Sequence, residues 1–211
     1  MELIGVNEAR KIMNSFIGPE EANKHWRTVP LLEHAIVLSN TLFPEDLLVR
    51  LSESHILVVV PPAISICAMW DVAYLRSGRN IFARQYWYRK QNFAWSNGDE
   101  VWTWWFVRKS SVPDSFNKTW HKQKALLGNV EEVPSARILT YAIITHFLAT
   151  GERLLKDVFV RTVSPVLSNR RVRVGFFGEE EGFSIGYCPD HVFSGRLGIS
   201  SAISYTFFRH C

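Results

Sequence analysis

The clearest hydrophobic pattern in the chain runs from Pro134 to Gly151. Ile138, Leu139, Ala142, Ile143, His146 and Phe147 recur at helical spacing, which predicts a helix turned toward a core. Pro134 near the first turn and Gly151 after the last periodic residue mark its ends. A second strong signal is HILVVV, His55 to Val60. This β-branched run has no polar alternation and stops at Pro61-Pro62, so it predicts a strand buried on both faces. After Asp157 the pattern shortens to DVFVRTV, RVRVGFF, FSIGY and RLGISSAIS, separated by turn residues. That rhythm predicts a meander of three or four antiparallel strands, with Val172 and Val174 inward and Arg171 and Arg173 outward.

The first half is built from shorter signals. Asn7 fits an N-cap for a helix reaching Phe16, with Gly18 as its stop, and Pro19-Glu20-Glu21 starts a second helix. Trp26 and Val29 are expected to tack this pair to the body. Pro44-Glu45-Asp46 is a further helix start, Ala63 to Leu75 fits helix or strand equally, and Ser77 to Asn80 reads as a turn. Between them and the long helix lies Phe82 to Lys124, which holds six of the eight tryptophans. Gln85–Trp95 and Val101–Lys109 flank Ser96-Asn97-Gly98-Asp99, the turn chemistry of a β-hairpin. In the second arm, Val101, Thr103, Trp105 and Val107 share one face, and Trp102, Trp104, Phe106 and Arg108 the other, so helices must cover at least one. A helix capped by Asp114 or Ser115 follows, lined by Phe116, Trp120, Gln123 and Leu127 and ending at Gly128. The sum is an α+β fold in one compact unit, residues 1–211. It comprises amino-terminal helices, a central antiparallel sheet containing the Trp-rich hairpin, packed helices and a carboxy-terminal β meander. Its one plausible seam is 151–157.

Composition excludes some classes. Hydrophobic residues at 47% with 21% charged residues argue against disorder. Three cysteines (Cys67, Cys188 and Cys211) make no disulfide framework and point to a reducing, cytoplasmic setting. The longest uncharged run, Ile56 to Trp70, is shorter than a membrane span needs and contains a proline pair. The first residues, MELIGVNEARK, lack a signal-peptide core. The expectation is a soluble protein with no membrane partner and no cofactor.

Charge is local. Between Phe82 and Lys124, eight Lys/Arg stand against three acids, an excess of five where the whole chain carries +4. Arg84, Arg89, Lys90, Arg108, Lys109, Lys118, Lys122 and Lys124 are therefore the candidate binding residues, interleaved with aromatic rings. The same pattern suits single-stranded nucleic acid, through stacking and phosphate contacts, an acidic protein partner, or a buried aromatic scaffold with a charged rim. The leading reading is a non-enzymatic recognition protein. The alternatives are an enzyme doing acid/base chemistry with His121 or His146 beside Glu152 and Arg153, and a structural or assembly subunit. Cys188 and His191, with His210 and Cys211, are the metal-ligand types that stand close in sequence. The sequence contains no Walker-type loop, dinucleotide fingerprint, HExxH or GxSxG.

The blocks WWFVRKSSVPDSFNKTW with Gln123, VPSARILTYAIITHFLATGERLL and RVRVGFFGEEEGFSIGY resemble a group of uncharacterised bacterial proteins of similar size. IGPEEANKHW extends the resemblance, which covers the chain from Gly18 onward. Asp114 stands where that group commonly has glycine. The resemblance implies that Arg108, Asn117, Lys118, Gln123, Gly151, Glu152 and Arg153 form a recurring block. No activity is established for the group, so it implies no catalytic residue.

Overall fold

The computed structural model describes residues 2–62, 64–77, 81–95 and 101–205. The chain begins with β1 (Leu3–Gly5), α1 (Val6–Ile12), β2 (Phe16–Ile17) and α2 (Pro19–Trp26). Gly5, not Asn7, caps α1, and the helix ends at Met13. Phe16 and Ile17 leave it because β4 offers them a parallel backbone partner at Leu57 and Val58. Gly18 consequently starts α2 instead of stopping α1, with Pro19 in the first turn and Glu21 accepting from the Gly18 amide at 2.7 Å. Trp26 tacks α2 to the body as expected, its Nε1 donating to Thr145 Oγ1 at 2.8 Å. Val29 is left exposed.

Next come α3 (Leu32–Ser39), β3 (Leu42–Pro44), α4 (Glu45–Leu51) and β4 (His55–Val60). Strand β4 is buried at every residue, as its unbroken apolar run requires. Within the stretch that fitted helix or strand equally, Ile66–Ser77 forms helix α5. A 3₁₀ turn (Trp87–Lys90), α6 (Asn92–Trp95), β5 (Thr103–Arg108) and α7 (Trp120–Lys124) follow. The chain closes with α8 (Ala136–Thr150), β6 (Phe159–Leu167), β7 (Arg170–Gly178), β8 (Gly182–Pro189), β9 (Leu197–Ile199) and β10 (Ala202–Tyr205).

The fold is α+β, and the carboxy-terminal meander is present as a sheet in the order β8-β7-β6-β9, with β9 parallel to β6. The central sheet has the order β10-β5-β4-β2 and is antiparallel except at β2. The Trp-rich hairpin is not formed. Its first arm is the 3₁₀ turn and α6, and β5 lies between β4 and β10 instead. The Asn97-Gly98 turn lies outside the described residues. The physical reason is visible in β5 itself: a strand apolar on both faces needs a neighbour on each edge and a layer on each side. Trp104 and Phe106 enter a cluster with Ala9, Met13, Phe43 and Leu48, while Trp105 and Val107 enter the main core. The helix expected after Asp114 is also shorter, because Trp120 rather than Ser115 opens it and Thr119 is its N-cap. Asp114 and Asn117 adopt positive φ of 58° and 55°, a conformation that short polar side chains tolerate. Asp114 thus supplies at low cost what glycine would.

Helix α8 is the hub. It packs between the two sheets, and every residue from Ala136 to His146 is buried. Its largely apolar character over that stretch follows from burial on every side. Ser135 caps it by accepting from the Ile138 amide, and Gly151 ends it at φ 78°. Ser135→Ala is expected to lower stability by about 1 kcal/mol in a urea melt. Leu154 and Leu155 of the expected seam are buried in the same core as α8.

Candidate functional site

One open recess is walled by aromatic rings. Trp70 and Tyr74 lie one turn apart on α5, and their rings stack at 5.1 Å with planes 5° apart. Ile66, Met69 and Ala73 occupy the buried side of the same helix, so the stacked pair is left at its edge. Residues 81–83 then add to β8, with the Phe183 amide donating to Ile81 O at 2.7 Å and the Ala83 amide to Phe183 O at 2.9 Å. This pins the backbone where Arg84 and Tyr86 face the pair. Tyr86 meets Trp70 edge-on at 5.8 Å. The recess, about 290 Å³, is lined by Trp70, Ala73, Tyr74, Ile81, Phe82, Arg84 and Tyr86. Tyr74 and Tyr86 are each more than half exposed.

Arg89 supports the recess from behind the contact surface. Its guanidinium lies 4.8 Å from the Trp70 ring centroid and donates to Asp71 Oδ1 at 2.7 Å. Trp95 Nε1 holds the Arg89 carbonyl at 2.6 Å. Behind them Tyr88 and Cys67 are buried, and burial pushes the phenol and the thiol up, so both stay neutral. Lys90 lines a wider groove of about 530 Å³ with Phe93 and Pro165. Phe93 and Pro165 also border a third recess, about 340 Å³, with Trp105, Ile138 and Glu132. Burial pushes the Glu132 carboxyl up, and Arg137 lines the same recess.

The eight candidate cations fall into three settings. Arg84, Arg89 and Lys90 belong to the aromatic region just described. Arg108 and Lys109 close β5 beside His55, its register partner across the sheet. Lys118, Lys122 and Lys124 sit on or before α7, where Lys118 Nζ donates to Asp114 O at 2.7 Å and Lys124 lies 5.7 Å from the Trp120 ring. Trp120 is buried under Arg171, so the α7 ring is scaffold rather than platform.

The acid/base candidates also separate. His146 is buried and its Nε2 meets Glu152 Oε2 at 2.8 Å, across the Gly151 cap. Burial lowers the His146 pKa against the opposing pull of Glu152. Arg153 turns away from the pair and lies 4.5 Å from the Phe147 ring. His121 is exposed on α7. Neither histidine lines any of the three recesses above. Cys188 is buried and His191 exposed, and no group of metal ligands forms among the described residues. His210 and Cys211 lie outside them.

Two features escaped the sequence reading. Trp70 and Tyr74 show i,i+4 spacing, which marks a platform only once Ile66–Ser77 is known to be helical. His55 heads an apolar strand, is buried, and bonds Ser54 Oγ through Nδ1 at 2.8 Å. A histidine opening HILVVV was the available signal.

The chain matches no protein-family model, no curated protein and no solved structure.

Proposed function

We propose that the chain is a recognition protein whose aromatic recess takes a nucleotide unit of single-stranded nucleic acid. The observation that carries this reading is the pairing of the exposed Tyr74 and Tyr86 rings, braced by the half-buried Trp70 between Tyr74 and Arg89, with Arg84 on the same wall. A base stacks on a ring whatever its identity, for ~1–3 kcal/mol, and a guanidinium holds the phosphate. Arg84 is the cation suited to that contact, since Arg89 is already paired with Asp71. The net charge of +4 favours approach of a polyanion.

The test is a titration with oligodeoxythymidylate followed by tryptophan fluorescence. Binding should quench emission and weaken as salt rises, because neutralised phosphates release counterions. Tyr74→Ala and Arg84→Ala should each weaken binding about tenfold. Absence of quenching at low salt would sink the reading. So would salt-independent binding of a neutral oligosaccharide at the same rings.

A further inference from the structure

Helix α3 presents an apolar face that no side chain among the described residues covers. Only Leu38 of its eight residues is buried, while Leu32 is 78% exposed and Ile36, one turn on, is 51% exposed. Val37, Val29 and Leu31 before it, and Leu42 after it, are about half exposed or more. Leu32 and Ile36 share one face of the helix, Val37 stands at its side, and Val29, Leu31 and Leu42 flank its ends. At on the order of 100 Å² each they expose roughly 600 Å² of aliphatic surface, the upper end of what a monomer carries and near the roughly 800 Å² per partner of a stable interface. A helix this short has little stability of its own, and one buried leucine is a thin anchor for it.

The chemistry of the face selects its occupant. Glu33 is the one carboxylate on α3, with His34 beside it, and no Lys or Arg lies on the helix. A helix that lies on anionic lipid carries Lys/Arg around its polar face, and a charged partner would need charges to meet. A second copy needs only an apolar patch that complements itself across a two-fold axis. We infer that α3 and its flanks form a homodimer interface in which Leu32 and Ile36 of each copy pack against those of the other. The interface is independent of the aromatic recess.

Sedimentation equilibrium of the full chain over a hundredfold concentration range tests it. The expected result is a mass rising to twice that of the chain. Leu32→Glu/Ile36→Glu should remain monomeric with unchanged circular dichroism. Should that pair fail to fold, Val29→Lys/Leu31→Lys, in the segment before the helix, should weaken dimerisation at least tenfold. A wild-type monomer at every concentration would overturn the proposal. Dimers that persist in a folded variant would overturn it too, as would a monomer that sediments with phosphatidylserine vesicles through these residues.

Discussion

Arg161→Met is expected to lower the unfolding free energy by about 3–4 kcal/mol, seen as a fall in melting temperature of roughly 10 °C. Arg161 is fully buried on β6. One guanidinium nitrogen donates to Gln123 Oε1 at 2.6 Å and to Lys118 O at 3.4 Å. The other donates to Pro189 O at 3.3 Å and to Val192 O. Gln123, also fully buried, passes the contact on through Nε2 to Ser115 O at 2.8 Å and Leu197 O at 2.9 Å. No carboxylate pairs with Arg161 among the described residues, so neutral oxygens carry the whole solvation of a buried charge. Methionine relieves the cost of burying that charge but strips the donor from acceptors in two segments at once, and the second effect is the larger. Arg161→Lys discriminates the causes. A lysine keeps the charge and cannot fork to both groups of acceptors, so it should be no better than methionine. A lysine variant within 1 kcal/mol of wild type would show that charge, not the fork, holds the loops.

That clamp also shows where sequence reasoning stops. Strand β4 and helix α8 were legible because their causes are local: an unbroken β-branched run, a 3.6-residue period, a capping serine and a terminal glycine. The meander was legible for the same reason. Arg161 was not, because inside DVFVRTV it reads as one polar position of a strand, and its meaning comes from Gln123 and Val192. The hairpin failed similarly. Asn97-Gly98 between aromatic runs is a strong local signal, yet β5 pairs with β4 and with β10, whose residues lie about a hundred positions later. Charge clustering along the chain was equally deceptive. Lys118 to Lys124 follow Arg108 closely in sequence but belong to a segment docked on the other sheet. Of the eight candidate cations only Arg84 lines the aromatic recess, and two of its rings, Trp70 and Tyr74, precede the stretch that drew attention.

Acidification from pH 6.5 to pH 5 is expected to remove roughly 1.5 kcal/mol of stability through His55 alone. Burial, reinforced by Arg108, lowers the His55 pKa from 6.5 to about 4 in the folded chain, against a weaker opposite pull from Glu131. The geometry agrees with that direction. The ring is 2% exposed, its Nδ1 is engaged by Ser54, and its Nε2 has no protein partner to receive a proton's charge. The sign follows directly. Between pH 6.5 and 4 the unfolded chain binds a proton at this site and the folded chain does not, so stability falls as pH falls. His146 shifts the same way and adds to the slope. Glu21 and Glu131 are held low and lose their contributions only below about 4.5, whereas Glu132, held high, opposes the trend above that pH. Across the interval from 6.5 to 5 the two buried histidines set the downward trend, with Glu132 working against it. Urea melts of His55→Asn across that interval should show a constant loss from the missing ring with most of the pH slope removed. His146→Gln should remove the remainder. A His55→Asn profile parallel to wild type would mean that the proton enters elsewhere, and that the charge at the end of β4 is already tolerated.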